Sequence, residues 1–186
     1  MGKKVIVAKE ENCTGCRLCQ LACSSHKEGE FIPDRARIKI VHDALAGWSR
    51  PLTCFQCEEP MCLAVCPVEA ISKSISADGA YVVLVEKERC IGCQRCVAAC
   101  PFGAMEFFKD SLATKCDLCA GSPKCVEFCF YDCLHFVELS EEEEVRRNKK
   151  IKGLYAKACK EIGRRELFGR RRAVFPSSIP LEKHYT

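Results

Sequence analysis

The chain has 186 residues, 18 of them cysteine, and a formal net charge of +4 with the thiols neutral. Its hydrophobic fraction of 48% includes those cysteines, so few apolar side chains remain to build a core. There is no run near the ~20 apolar residues of a membrane span, and the N-terminal segment lacks the apolar stretch of a secretory signal. We therefore expect one domain or two small ones, stabilised through cysteine chemistry and largely unfolded without it.

The first predicted strand covers residues 3–8, where β-branched side chains cluster. A cysteine group with the spacing Cys-x2-Cys-x2-Cys-x3-Cys follows at once: Cys13, Cys16, Cys19 and Cys23. Thr14 and Gly15 suit a loop that turns its backbone amides toward bound sulfur. A helix that begins near Leu18 is predicted to carry the fourth cysteine of the group.

Residues 29–51 form a connector without cysteine, in which residues 35–42 alternate polar and apolar side chains and are predicted as a strand. The second group ends in Cys-Pro: Cys54, Cys57, Cys62 and Cys66. A strand is expected within residues 67–74. Asp78-Gly79 predicts a two-residue turn into a second strand over residues 81–85.

The third group repeats the spacing of the first and also ends in Cys-Pro: Cys90, Cys93, Cys96 and Cys100. A strand containing Phe107 and Phe108 is expected after it. The fourth group has a longer third interval and no closing proline: Cys116, Cys119, Cys125 and Cys129. Four similar groups make an internal repeat, which is the main organising feature of the chain.

Residues 140–186 change in character. Acidic residues 141–144 open a predicted helix that continues, by its apolar periodicity, toward residue 172. Arginines crowd its end between Arg164 and Arg172, and the remaining tail reads as extended. Two interpretations are open: a helix packed on the cysteine-rich part with a solvated basic face, or an arm that docks on a larger subunit.

Three kinds of chemistry can use so many cysteines. Disulfides need an oxidising compartment and do not favour such regular spacing. Structural zinc sites usually combine two cysteine pairs, whereas these cysteines come in fours. The Cys-Pro groups match the bacterial iron–sulfur pattern, in which three cysteines hold one cubane and the fourth binds the neighbouring one. Four [4Fe–4S] clusters on sixteen thiolates would change the net charge to about −4, so the basic composition says little about nucleic acid.

The segments CFQCEEPMCLAVCPVEAI and RCIGCQRCVAACPFGAM resemble the four-cluster electron-transfer subunits of the dimethyl sulfoxide reductase beta-subunit type. The resemblance covers about residues 5–138. It implies an α+β fold of two nested bacterial-ferredoxin-like modules with short hairpins and cluster-bearing helices. The expected outer module is 1–28 with 111–139, the connector 29–51, the inner module 52–110, and the C-terminal helix and tail 140–186.

The resemblance also implies how the groups share ligands, with the first group paired to the fourth and the second to the third. The implied ligand sets are Cys13, Cys16, Cys19 and Cys129; Cys116, Cys119, Cys125 and Cys23; Cys54, Cys57, Cys62 and Cys100; Cys90, Cys93, Cys96 and Cys66.

The chain is similar, more specifically, to small iron–sulfur subunits that accompany tungsten enzymes of the aldehyde oxidoreductase family, including tungsten-dependent benzoyl-CoA reductases. This implies a cytoplasmic electron wire between a catalytic subunit with a tungsten or molybdenum pterin and a second redox protein. The alternative partner class is a hydrogenase, formate dehydrogenase or carbon monoxide dehydrogenase.

An independent catalyst is not expected, because full cysteine ligation leaves no open iron and no phosphate-binding loop or Rossmann fingerprint is present. The competing class is an interaction or nucleic-acid module stapled by clusters, supported by the basic run 164–172. Cys133 and Cys159 lie outside the four groups. We interpret Cys133 as a buried side chain that only fills space in the core, and we place Cys159 on the apolar side of the C-terminal helix. The alternative is that either residue serves as a cluster ligand.

Overall fold

The computed structural model describes residues 3–76, 79–108 and 112–166. Its architecture mixes short helices with small antiparallel sheets, as in a ferredoxin-like fold. The described residues form four sheets, each of two strands. The strands are β1 (Lys4–Ala8), β2 (Lys39–Asp43), β3 (Trp48–Leu52), β4 (Ile71–Ile75), β5 (Tyr81–Val85), β6 (Met105–Phe108), β7 (Leu112–Lys115) and β8 (Leu134–Glu138).

Three sheets are local hairpins and one joins distant parts of the chain. Consecutive strands pair as β2–β3, β4–β5 and β6–β7. In contrast, β1 pairs with β8 and sets Val5 opposite Val137, more than 100 residues later in the sequence. This pairing brings the first and fourth cysteine groups to the same region of the molecule.

The helices are short except for the last. They are α1 (Leu18–Glu28), α2 (Met61–Ala64), α3 (Arg95–Ala99), α4 (Lys124–Glu127) and α5 (Glu141–Glu166). Helix α1 packs on α4, and α2 packs on α3. Each helix of these two pairs lies within one of the four cysteine groups. The first cysteine group therefore packs on the fourth through their helices, and the second packs on the third.

Helix α5 begins with a capping box that explains its sharp start. The Ser140 amide donates to Glu143 Oε2 at 2.8 Å, and the Glu143 amide donates to Ser140 Oγ at 3.3 Å. Such reciprocal bonds satisfy two amides that have no partner within the helix. The predicted helix is confirmed over Glu141–Glu166. The rest of that prediction, with Arg170–Arg172 and the tail, lies outside the described residues.

One local prediction is wrong. The strand expected over residues 35–42 begins only at Lys39, because Pro33–Arg35 form a 3₁₀ turn. Arg37 is buried and forms an ion pair with Glu28. This contact, and not the alternation of polar and apolar residues, sets the backbone conformation before Lys39. The two-residue turn predicted at Asp78-Gly79 lies partly outside the described residues, and beside it the Ser76 amide donates to the Ala80 carbonyl.

The core is divided into small apolar clusters, and each contains cysteine side chains. Val5, Ile38, Val83 and Leu118 are among the most deeply buried residues. Around them lie cysteines from all four groups, several less than a tenth exposed. The interior is thus built around the cysteines. Among the described residues, no helix is long and apolar enough to cross a membrane.

Candidate iron–sulfur cluster sites

The cysteine loops of the first and third groups have the same backbone conformation. Gly15 and Gly92 have positive φ angles of 71° and 70°, in the left-handed region that glycine adopts most readily. Two residues later, Arg17 and Gln94 are left-handed as well and stand immediately before α1 and α3. The identical Cys-x2-Cys-x2-Cys spacing is therefore folded into identical loops.

The second and fourth groups keep this conformation without glycine. Gln56 and Leu118 occupy the equivalent positions, with φ angles of 49° and 58°. A left-handed residue with a side chain costs about 1 kcal/mol or more. Both side chains are almost fully buried, Gln56 being 1% exposed. Packing and hydrogen bonding thus hold a loop conformation that glycine would adopt unaided.

Site I comprises Cys13, Cys16, Cys19 and Cys129. Burial, followed by the proximity of Cys16, Cys129 and Cys13, raises the pKa of the Cys19 thiol to about 12. The structure therefore brings together three cysteines of the first group and the last cysteine of the fourth. The hairpin β2–β3 covers this loop so closely that a Cβ on Gly15 would lie 2.7 Å from His42 Cε1.

Site IV comprises Cys116, Cys119, Cys125 and Cys23. Burial and the neighbouring Cys116, Cys23 and Cys119 raise the pKa of the Cys125 thiol far above its ordinary value. Cys23 sits within α1, whose packing on α4 sets it beside the fourth group. Its sulfur accepts a 3.2 Å hydrogen bond from the Arg37 amide.

Site II comprises Cys54, Cys57, Cys62 and Cys100, which line one cavity with an empty volume of about 370 Å³ including space open to solvent. The wall is otherwise mainly apolar and includes Phe55, Val83, Phe102 and Tyr155. Burial, followed by proximity to Cys54, raises the pKa of the Cys62 thiol to about 12, while Lys115 acts in the opposite direction.

Site III comprises Cys90, Cys93, Cys96 and Cys66, which line a second cavity of about 330 Å³, likewise including space open to solvent. The Ala70 amide donates to Cys66 Sγ at 3.3 Å. The equivalent amide in site II, that of Ala104, acts on the Cys100 thiol and favours a lower pKa, against the larger effect of burial. The two Cys-Pro turns therefore present the same donor, four residues after the cysteine, to sulfurs of neighbouring sites.

The four sites adjoin one another in the order I, IV, II, III. Cys19 of site I packs in one apolar cluster with Cys125 of site IV. Cys116 of site IV packs against Cys54 of site II. Cysteines of sites II and III share a third apolar cluster. At the two ends, Cys16 and Cys93 are exposed to solvent.

These residues fit iron–sulfur clusters. Each site offers four thiols, and amide donors reach several of their sulfurs, an arrangement that stabilises cluster-bound thiolate. Because burial raises the thiol pKa values, iron must displace the protons when it binds. Among the described residues, no three histidine, cysteine or acidic side chains converge as ligands of a single metal ion. A cubane does not require this, since each thiolate binds a different iron.

Helix α5 covers site II. The Tyr155 hydroxyl donates to Cys57 Sγ at 3.1 Å, and its ring lies 5.0 Å from that of Phe102. Ile151 is 5% exposed and belongs to the same apolar cluster as Cys57 and Phe102. One turn earlier, Arg147 donates to the Phe55 carbonyl oxygen. The helix therefore supplies both a hydrogen bond to a sulfur and a barrier to water.

Sequence reasoning missed Gln56, Lys115 and Tyr155 as groups that contact the cysteine sites. Gln56 carried a signal, because it replaces the glycine of the repeat in the second group. Lys115 directly precedes the fourth group, but buried lysines are uncommon and nothing in the sequence marks this one. Tyr155 lies on the helix that the apolar periodicity predicted, while its hydroxyl contact depends on how α5 packs.

Cys133 is 3% exposed and lies four residues after Cys129, in the position that Ala70 and Ala104 occupy in the Cys-Pro groups. Burial followed by proximity to Cys13 and Cys129 raises the pKa of its thiol strongly. This placement agrees with the interpretation of Cys133 as a buried packing residue, here beside site I. The side chain of Cys159 lies outside the described residues.

Comparison with known proteins identifies the family. Residues 47–139 match the 4Fe-4S dicluster domain, and residues 10–25 match a 4Fe-4S binding domain. The Escherichia coli protein YsaA is 39% identical over 159 residues, which cover 78% of this chain and 95% of YsaA. The polyferredoxin-like subunit of Pyrococcus furiosus aliphatic sulfonate oxidoreductase is 41% identical over 126 residues, covering 67% of this chain and 70% of that subunit.

A further relative is the iron–sulfur subunit of Wolinella succinogenes formate dehydrogenase, 37% identical over 126 residues, which cover 62% of this chain and 60% of that subunit. Among solved structures, a chain of the BamBC active-site complex of benzoyl-coenzyme A reductase aligns with 75% of this chain and 78% of its own length, at 28% identity and a TM-score of 0.41. The chain therefore belongs to the 4Fe-4S dicluster domain family, among ferredoxin-type electron-transport proteins.

Proposed function

We propose that this protein carries four [4Fe–4S] clusters, one in each of sites I to IV, and conducts electrons through them inside an oxidoreductase complex. The observation that carries the proposal is the grouping of sixteen cysteines into four sets of four. In each set the fourth cysteine comes from a different group along the chain. A cubane changes by one electron with little rearrangement, which suits transfer rather than substrate chemistry.

The proposed path runs from site I through IV and II to III, or in the reverse direction. Neighbouring sites share apolar clusters, which supports close approach of their cofactors. Exposed Cys16 and Cys93 lie in the two terminal sites, where electrons would enter and leave. The interior ligands are largely buried, which favours transfer along the path over loss to solvent.

The same pairing supports a nested arrangement of modules. Strands β1 and β8 join residues 1–28 to 111–139 as the proposed outer module. Helices α2 and α3 pack together within the proposed inner module, 52–110. Residues 29–51 supply the hairpin β2–β3, and 140–186 begin with α5. Under this proposal, the outer module holds sites I and IV and the inner module holds sites II and III.

For partners, we propose a catalytic oxidoreductase subunit with a tungsten or molybdenum pterin and a second redox protein, in the cytoplasm. The pterin rests on the sequence resemblance described above. Relatives that are named subunits of aliphatic sulfonate oxidoreductase and formate dehydrogenase support a larger catalytic partner. The match to a formate dehydrogenase subunit also favours the alternative that the catalytic partner is an enzyme of that kind.

The first experiment is to measure iron and acid-labile sulfide per chain in anaerobically purified protein, with EPR spectra of the reduced sample. About sixteen irons are expected for four cubanes, with spectra broadened by coupling between clusters. About twelve irons would remove one site from the proposal. Zinc without visible absorption would overturn the electron-transfer function.

A further inference from the structure

Lys115 is a buried lysine at the end of β7, only 8% exposed. Its ammonium donates to Gln56 Oε1 at 3.1 Å, to the Cys116 carbonyl at 3.1 Å and to the Val83 carbonyl. A protonated lysine has three N–H donors and no acceptor, so three oxygen acceptors satisfy it completely. Three oxygen acceptors around one nitrogen are the surroundings expected for a charged ammonium group.

All three acceptors are neutral. Among the described residues, no carboxylate forms an ion pair with Lys115. Burying a charge is costly unless an opposite charge compensates it, and hydrogen bonds to neutral groups offset only part of the cost. The compensating negative charge must therefore come from something other than a side-chain carboxylate.

The position of Lys115 identifies the source of that charge. Its side chain lines the cavity of site II together with the four cysteines of that site. Its ammonium also donates to the backbone carbonyl of Cys116, a cysteine of site IV. These two sites are the middle pair in the order I, IV, II, III. An oxidised cubane with four thiolates has a net charge of about −2, which becomes about −3 on reduction.

Gln56 fixes the ammonium in this place. Its amide nitrogen donates to the Cys116 carbonyl at 2.8 Å, and its Oε1 also accepts from the Val83 amide at 2.9 Å. The residue lies in the second cysteine loop and hydrogen-bonds to the backbone of the fourth. It thereby joins the loops of sites II and IV. A glycine at this position, as in the first and third groups, has no side chain to do so.

We propose that Lys115, positioned by Gln56, is the electrostatic counterion shared by the clusters of sites II and IV. Its charge raises the reduction potentials of this middle pair relative to the terminal pair. Each reduction adds one electron and one negative charge beside the ammonium, so the reduced form gains more from Lys115 than the oxidised form does. No proton transfer is needed. The proposal rests on the function proposed above.

The test is an EPR-monitored redox titration, with dithionite as the reductant, of holoprotein carrying Lys115→Met or Lys115→Arg. In Lys115→Met, two of the four one-electron steps are expected to move to lower potential. The ratio of reduced to oxidised cluster at their wild-type midpoints should fall about ten-fold, equivalent to about 59 mV for a one-electron couple. Lys115→Arg keeps the charge and should restore the wild-type potentials.

The matched control is Lys149→Met, which removes the same charge from an exposed position on α5. Solvent and salt screen such a charge, so no step should move. If Lys115→Met retains its iron and its titration superimposes on that of the wild type, the proposal is wrong. If the wild-type protein shows no reversible clusters, the proposed function fails instead.

A second variant covers the case in which Lys115→Met does not assemble. Gln56→Glu places a carboxylate at the atom that accepts the 3.1 Å hydrogen bond from the ammonium. Neutralising the lysine in this way should lower the same two potentials in the protein that retains its iron. Unchanged potentials in Gln56→Glu, or loss of iron in both Gln56→Glu and Lys115→Arg, would assign Lys115 to packing and overturn the proposal.

Discussion

Sites II and III have related ligand loops but different surroundings. Site II is covered by α5, receives the Tyr155 hydroxyl on Cys57 and adjoins the buried Lys115. At site III, Cys93 is exposed and the neighbouring Ile91 is 63% exposed. Under the proposed function the loop repeat makes both sites suitable for a cubane. The surroundings, rather than the ligands, then set potential and access to solvent.

Removing the clusters tests what the two sites share and has the largest expected effect. Because cysteines form so much of the interior, chelation under anaerobic conditions should abolish the cooperative fold, seen as loss of far-UV circular dichroism. Iron release should be biphasic, with the exposed site III losing iron before site II. An apoprotein with a native-like spectrum would contradict this prediction.

Displacing α5 should make site II resemble site III. Ile151→Asp puts a carboxylate into the apolar cluster around Phe102, at a cost of about 3 kcal/mol or more. We expect a lower melting temperature and faster bleaching of the cluster absorption in air. Val145→Asp is the matched control on the same helix, since Val145 is 67% exposed. Equal effects of the two variants would show that α5 does not shield the site.

Removing the Tyr155 hydroxyl alone separates its hydrogen bond from the cover that the ring provides. A donor to sulfur stabilises the more negative, reduced cluster. Tyr155→Phe should therefore lower one reduction potential by at most about 59 mV, a ten-fold change in the one-electron equilibrium. Redox titration measures this, with Tyr131→Phe as control because Tyr131 is 52% exposed. A shift to higher potential would reverse the assigned role of the hydroxyl.

Glycine in the loop of site III offers a smaller test. Gly92 has a φ of +70°, yet a Cβ there would meet Leu112 Cδ2 at an ordinary 3.5 Å. Gly92→Ala should therefore cost only the left-handed strain, about 1 kcal/mol. Thermal unfolding of the holoprotein measures it. A loss of cluster from site III would show instead that the loop tolerates no side chain.

The smallest effect is expected from the ion pair between Lys152 and Glu59, at 2.9 Å. It links α5 to the loop of site II, but both side chains are more than half exposed. Exposed ion pairs contribute little because water and salt screen them. Lys152→Ala should leave the melting temperature and the titration unchanged. A clear drop in either would mean that this pair helps to hold α5 on site II.

Local patterns predicted much of the chain because neighbouring residues determine them. The β-branched run of β5 and the acidic start of α5 were found where predicted. Residues 35–42 were misassigned because the ion pair of Arg37 with Glu28 and the 3₁₀ turn at Pro33 override an alternating pattern. Strand β7 carried no recognised signal, since its pairing with β6 defines it.

The amino-acid sequence was sufficient to predict iron–sulfur chemistry, because thiol spacing within a short loop limits which metal group the loop can bind. The repeat and its Cys-Pro endings also predicted an iron–sulfur protein of the ferredoxin type. The tertiary structure decided which distant side chains reach the sites. Lys115 contacts Gln56 across 59 residues of sequence, and Tyr155 contacts Cys57 across 98. Such contacts depend on packing between segments, which no local pattern records.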